Sequence, residues 1–270
     1  MEDRSIPSWI GASTIVIAVL VVASSLLGLL LPSVYAREVE DWRLQAWGQD
    51  VGNLASVVVL IVGMRLLKTR RSIGVPLWLG ALFYVLYAFV IYVFGVHFNE
   101  LFLLYTAILG LSVFTVVFAI PVLRNQPKVP KGPRVLAGWA LVTLGILFAL
   151  LWLGEIVPAL LSGQTPASIT DAGLISNPVH VIDLAVVLPA LTATGWLTLK
   201  DRSWGLFLAG PWLVFAVLMA ASVVAGSLFL LADGATEAVV PAVALSVVAI
   251  AGAVVAVRLI RALDRSARSA

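Results

Sequence analysis

The stretch Asn177-Pro178-Val179-His180-Val181-Ile182-Asp183, followed by an apolar run that continues to Leu199, decides the fold. It sets an imidazole and a carboxylate inside the opening turns of a helix of about 20 residues, the length that crosses a bilayer. Asn177 suits an N-cap and Pro178 the first helical position, where the missing N–H costs nothing. His180 and Asp183 are three residues apart, so they occupy neighbouring faces about 4.5 Å apart along the axis and can meet one ligand or each other. Lipid makes ionisable groups expensive, so their presence in such a segment is a functional-site hypothesis. Further down, Pro189 removes a helical donor and predicts a kink, with Thr192 and Thr194 placed to bond freed carbonyls.

The rest of the chain has the same character. Of 270 residues, 61% are hydrophobic and 11% charged, far from the balance of a soluble domain. The net charge of +3 does not point to nucleic acid, because the basic residues sit in short connections between apolar runs rather than on one solvated face. There is no cysteine, which removes disulfides, thiolate metal sites and thiol nucleophiles together.

Eight apolar runs are long enough to span: 9–31, 51–67, 76–96, 101–123, 135–160, 179–199, 204–231 and 238–257. The first exceeds the core of a signal peptide. Val34-Tyr35-Ala36 resembles a cleavage site, but the apolar length favours a retained span. Fifteen of the 17 basic residues fall on one side: Arg4, then Arg65, Lys68, Arg70 and Arg71, then Arg124, Lys128, Lys131 and Arg134, then Lys200 and Arg202, and finally Arg258, Arg261, Arg265 and Arg268. Only Arg37 and Arg43 lie opposite. Lys/Arg bias sets orientation, which predicts cytoplasmic termini and a multi-pass plasma-membrane protein.

The acids segregate the other way. Ten of the 14 map to outer connections or outer helix ends, as do both histidines, His97 and His180. Loop polarity accounts for Glu38, Glu40, Asp171 and Asp233. It does not account for Glu155 and Asp183, each about 7 Å inside the apolar end of its span; these two should face protein or water.

The first outer connection, 33–50, repeats Tyr35, Val39, Trp42 and Ala46 at helical spacing among polar residues, as a short interfacial helix would. Trp42 and Trp47 suit the headgroup level. Asp50, with Asn53 one turn deeper, then opens span two. Span three carries Tyr84, Tyr87 and Tyr92 and ends at His97-Phe98-Asn99-Glu100, so spans three and four are adjacent and antiparallel. There the spacing of His180 and Asp183 recurs. The connection 124–134 interleaves Pro127, Pro130 and Pro133 with basic residues, an extended tether beside anionic headgroups. The longest outer loop, 161–177, could cover a pocket. Ala238, Ala242, Ser246, Ala249, Ala253 and Ala256 form a small-residue stripe on span eight, which suits close helix packing inside the bundle and, less directly, an oligomer.

Two imidazoles with Glu100, Glu155 and Asp183 would suit a divalent metal, with His97, His180, Glu100 and Asp183 as its candidate ligands, whereas a haem held by His97 and His180 is disfavoured by the tight connection at His97. There is no HExxH and no i, i+4 histidine pair. An intramembrane hydrolase could use His180 with Asp183 or Glu155 as base and orienter, yet no rhomboid-like serine motif, twin-aspartate pattern or HxxxH marks it. A carrier would be expected to place polar groups at the midplane, whereas the inner halves here offer only hydroxyls such as Ser112, Thr115, Thr143, Thr192 and Thr194. The sequence therefore reads as an all-α, polytopic membrane bundle forming one transmembrane domain over 1–270. Its predicted outward-facing site draws on His180, Asp183, Glu155, Glu100, His97 and Asn53, between spans three, four, five and six. It would bind or move a small molecule or cation as a transporter or sensor. The alternatives are a metal- or His/Asp-assisted intramembrane hydrolase and a non-catalytic membrane subunit.

Overall fold

The computed structural model describes residues 6–124 and 127–269; Arg4, counted above on the basic side, lies outside them. Eight long apolar helical segments are present, matching the eight predicted spans, and no strand occurs among the described residues. They are α1 (Ser8–Leu30), α2 (Glu40–Thr69), α3 (Arg71–Gly95), α4 (Phe102–Leu123) and α5 (Lys131–Ser162). A four-residue turn of helix, α6 (Ala167–Thr170), sits in the long connection 163–177. The sixth span is α7 (Pro178–Ile182), a π-helical turn (Asp183–Val187) and α8 (Leu188–Leu199). Helices α9 (Ser203–Ala232) and α10 (Val239–Arg268) complete the chain.

Contacts between helix ends define two faces. On the basic face, Arg71 donates to the Val122 carbonyl (2.7 Å), Ser72 to Asp264 (3.0 Å), and Arg134 pairs with Asp201. Arg124 lies over the Trp204 ring at 4.1 Å. On the opposite face, Trp42 donates to the Gly95 carbonyl (2.7 Å) and Asn99 to the Val34 carbonyl (3.1 Å), tying the α1–α2 and α3–α4 connections together.

Helix α3 is the axis of the bundle. Trp78, Leu79, Leu82, Tyr84, Val85 and Phe89 are fully buried, and α2, α4 and α9 pack around it. Helices α5 and α10 are peripheral: Leu147, Leu150, Val243, Val247 and Ile250 are all exposed, as lipid-facing residues would be. Ala238, just before α10, and Ala242 and Ala256 on it are the buried members of the small-residue stripe, and Gly252 beside it lies against Val217 of α9.

Two local features depart from expectation. The outer helix predicted over 33–50 is helical only from Glu40 and is continuous with span two. At 30 residues, α2 is about 45 Å long, more than a hydrocarbon core of about 30 Å requires. Its two tryptophans serve the bundle: Trp42 holds the end of α3, and Trp47 packs edge-on against Phe229 at 5.8 Å. The kink predicted at Pro189 takes the form of the π turn. The Leu188 N–H bonds to the Asp183 carbonyl, five residues back. That wider turn makes room for a proline ring that would otherwise strike the carbonyl four residues earlier. The Thr192 hydroxyl donates to the Leu188 carbonyl (2.9 Å). Gly145 of α5 lies against that same carbonyl, and any Cβ there would sit 2.9 Å from it, so α5 approaches α8 closely at the bend.

Candidate functional site

The sixth span begins as its sequence dictates. The Asn177 side chain accepts from the Val179 N–H (2.9 Å), and Pro178 occupies the first turn. This points His180 and Asp183 inward, where they are 5% and 7% exposed.

Helix α5 supplies the facing groups. Trp152 donates its indole N–H to Asp183 Oδ2 at 2.8 Å, and its ring lies against the His180 ring with centroids 4.7 Å apart. One turn outward, Glu155 presents Oε2 to His180 Nε2 at 3.6 Å and accepts the Ser168 N–H on Oε1 at 3.1 Å. Ser168 belongs to α6, so the connection 163–177 closes over this cluster. Tyr87 of α3 directs its hydroxyl to Asp183 from the core side. The predicted association of His180, Asp183 and Glu155 beneath the loop is thus present, with Trp152 and Tyr87 added.

The hydrogen bonding of the cluster is incomplete. His180 Nε2 is buried and makes no hydrogen bond; its 3.6 Å separation from Glu155 is an ion-pair distance, too long for a hydrogen bond. The Glu155 side chain is 31% exposed, so the cluster reaches the surface on that side.

The remaining predicted site residues lie elsewhere. His97 and Glu100 do not join the cluster, because the α3–α4 connection folds back over the first outer connection. The His97 backbone N–H donates to Glu38 Oε1 (2.7 Å), and its Nδ1 faces Glu38 Oε2 (3.1 Å). Glu100 accepts from the Ser33 hydroxyl at 2.5 Å, and that hydrogen bond holds its carboxyl below the usual range. Span four likewise does not line the His180 cluster, since α4 packs on α1 and α3. Among the described residues, no three His, Asp or Glu side chains converge as a metal site would require, and the four candidate ligands are split between two places.

Asn53 belongs to a second polar centre, built around Asp50. Both are fully buried. Tyr35 donates to Asp50 Oδ2 and Tyr92 to Oδ1, each at 2.8 Å. Burial holds the Tyr35 phenol well above its ordinary range, so it stays a donor. Asn53 donates to Ser25 (3.2 Å), while Gln49 donates to the Tyr84 hydroxyl (2.6 Å) and accepts from Ser222 (3.1 Å). Tyr105 of α4 stacks on Tyr92 at 5.0 Å. Helix α1 fits against this centre only because residue 28 is glycine; a Cβ there would lie 2.6 Å from the Tyr35 hydroxyl and would also strike Asp50.

The sequence carries signals for the Asp50 centre and for Trp152. Gln49, Asn53 and Ser56 stand at i, i+4 and i+7, a polar stripe that has to face protein. Trp152 and Glu155 stand at i and i+3, on one face of α5. No protein-family model, curated protein or solved structure matches this chain.

Proposed function

We propose that this multi-pass protein resides in the plasma membrane with both termini in the cytoplasm. We propose further that its His180–Glu155–Asp183 cluster binds a small cation from the outside, as a carrier or sensor. One observation supports the reading above the others: His180 Nε2 is buried without a hydrogen bond, beside a carboxylate open to the surface. Buried polar atoms are normally satisfied, so such an atom marks capacity for a partner. As the acceptor tautomer, His180 joins two carboxylates that also only accept, while the Trp152 N–H is already committed to Asp183. A site rich in acceptors and walled by aromatic rings suits a cationic group with N–H donors, such as a protonated amine.

Orientation is tested by single-cysteine labelling, since the chain has no cysteine of its own. Ser33, Ser162 and Ala235 substituted by cysteine should react with an impermeant reagent in intact cells, and Ser72 and Ser203 should not. Binding is tested by thermal shift of the purified protein with sodium, potassium, methylammonium, tetramethylammonium and a panel of primary amines. A primary amine should raise the melting temperature of the wild type but not of Asp183→Asn or Glu155→Gln. If no cation distinguishes the wild type from both variants, the reading fails. Counterflow in proteoliposomes then separates a carrier from a sensor.

A second reading, an intramembrane hydrolase, is favoured by Ser168. Its hydroxyl is buried without a hydrogen-bond partner, and its amide is held by the Glu155 that faces His180. Labelling by a fluorophosphonate that disappears in both Ser168→Ala and His180→Gln would establish it.

A further inference from the structure

On the basic face, well away from the His180 cluster, the start of α5 and the last turns of α10 enclose a groove of about 760 Å³. Three arginines line it, Arg258, Arg261 and Arg265. Their spacing of three and four residues puts all three on one stripe of α10. Like charges so arranged repel one another, and among the described residues none of the three has an acidic partner. Their neighbours differ: Arg134 pairs with Asp201, Arg268 with Asp264 (2.7 Å), and Arg124 rests on Trp204. The acid closest in sequence, Asp264, is already held by Ser72 and Arg268.

We propose that this groove holds the headgroup of an anionic phospholipid from the adjoining leaflet. Arg258 follows directly on the apolar run ending at Val257, and Arg265 lies about 10 Å further along the axis. The guanidinium groups therefore span the depth of the headgroup layer, where phosphates lie. Arginine's planar fork binds phosphate oxygens two at a time. Leu136, 38% exposed, lines the groove, and Trp139 on α5 and Val254 on α10 are exposed nearer the membrane interior, a surface for acyl chains. The start of α5 has no side-chain cap, so the N–H groups of Lys131 and Gly132 add to the attraction for an anion. Three cations spread along one stripe favour a lipid with two phosphates over one with a single phosphate.

The test uses the purified full-length protein, delipidated in neutral detergent, with lipid adducts counted by native mass spectrometry. The lipids are diphosphatidylglycerol, phosphatidylglycerol and phosphatidylcholine; glycerol 3-phosphate and inorganic phosphate serve as soluble competitors. The wild type should retain diphosphatidylglycerol most strongly and phosphatidylcholine least. R258Q/R261Q/R265Q should lower diphosphatidylglycerol occupancy at least tenfold, and R258K/R261K/R265K, which keeps the charge, about threefold. Gly132 lines the groove with open space where its Cβ would be, so Gly132→Phe fills the groove without altering charge and should also abolish retention. Three outcomes overturn the proposal: equal retention of phosphatidylcholine, undiminished lipid on Gly132→Phe, or displacement of lipid by millimolar glycerol 3-phosphate or inorganic phosphate. The last would make the occupant a soluble phosphate. Should the triple glutamine variant not fold, Gly132→Phe decides alone.

Discussion

Asp50 and Asp183 are both buried in the bundle, and their surroundings differ in completeness. Asp50 has a phenol on each oxygen at 2.8 Å, in a network to which five helices or their connections contribute. Asp183 has one indole N–H at 2.8 Å and the Tyr87 hydroxyl, beside an imidazole nitrogen without a hydrogen bond and a half-exposed glutamate. A satisfied buried network fixes how helices seat against one another, whereas an unsatisfied one retains capacity for something that is not protein. On this contrast we read Asp50 as a structural centre and Asp183 as part of the proposed cation site.

The largest expected effect breaks the first half of the contrast. Asp50→Leu strands the Tyr35 and Tyr92 hydroxyls and should cost about 3–5 kcal/mol, as losing one member of a buried charged network does. Denaturant titration in detergent would measure it. Adding Tyr35→Phe and Tyr92→Phe removes the stranded donors as well and should recover much of that loss. A triple variant no more stable than Asp50→Leu would mean the phenols are not what Asp50 serves.

A smaller loss is expected at Gly28. A valine there needs space already filled by Asp50 and the Tyr35 hydroxyl, and overpacking of this kind costs about 1–3 kcal/mol. Tyr35→Phe in the same background should relieve part of it, because one of the two obstructing groups is gone. An unchanged melting temperature in Gly28→Val would show that α1 is not seated on the Asp50 centre.

Asp183→Asn and Glu155→Gln sharpen the other half. Each keeps the volume, and an asparagine still offers Trp152 an acceptor, so the stability change should stay within about 1 kcal/mol. The amine-dependent thermal shift should vanish. Losses as large as that of Asp50→Leu would make the two centres alike and remove the distinction between structure and site.

What could be read from the chain follows the same division. Eight spans and the two-sidedness of charge are written in runs of about 20 apolar residues and in the basic connections. The meeting of Glu155 with His180 and Asp183 was legible because both lie at similar depth in consecutive spans joined by one outer loop. The burial of Asp50 is not legible, because the apolar run of span two starts at Val51 and puts Asp50 at a helix end. In the uninterrupted α2 it stands ten residues in, about 15 Å from the start, and long-range packing buries it. The repeat of His97 and Glu100 misled for a related reason: spacing shows which residues share a face but not where a connection folds, and here it folds onto Ser33 and Glu38.

That outer contact gives the smallest expected effect and a control for the others. Glu100 is fully exposed, and its carboxyl is held below the ordinary value of 4.5, first by the Ser33 hydroxyl and also by the charge of Arg37. A carboxyl whose folded pKa is depressed contributes stability that is present above the unfolded value and fades as pH falls through the folded one. The contribution should therefore be constant from neutral pH down to about pH 5 and decline only below that. Ser33→Ala should move the Glu100 titration upward, observed by NMR of side-chain-labelled glutamate, with a melting temperature unchanged at pH 7. Solvent screens the exposed pair, so neither the Asp50 network nor amine binding at Asp183 should respond. If Ser33→Ala altered either one, the outer clasp would be coupled to the core, and the three polar regions would have to be treated as one system.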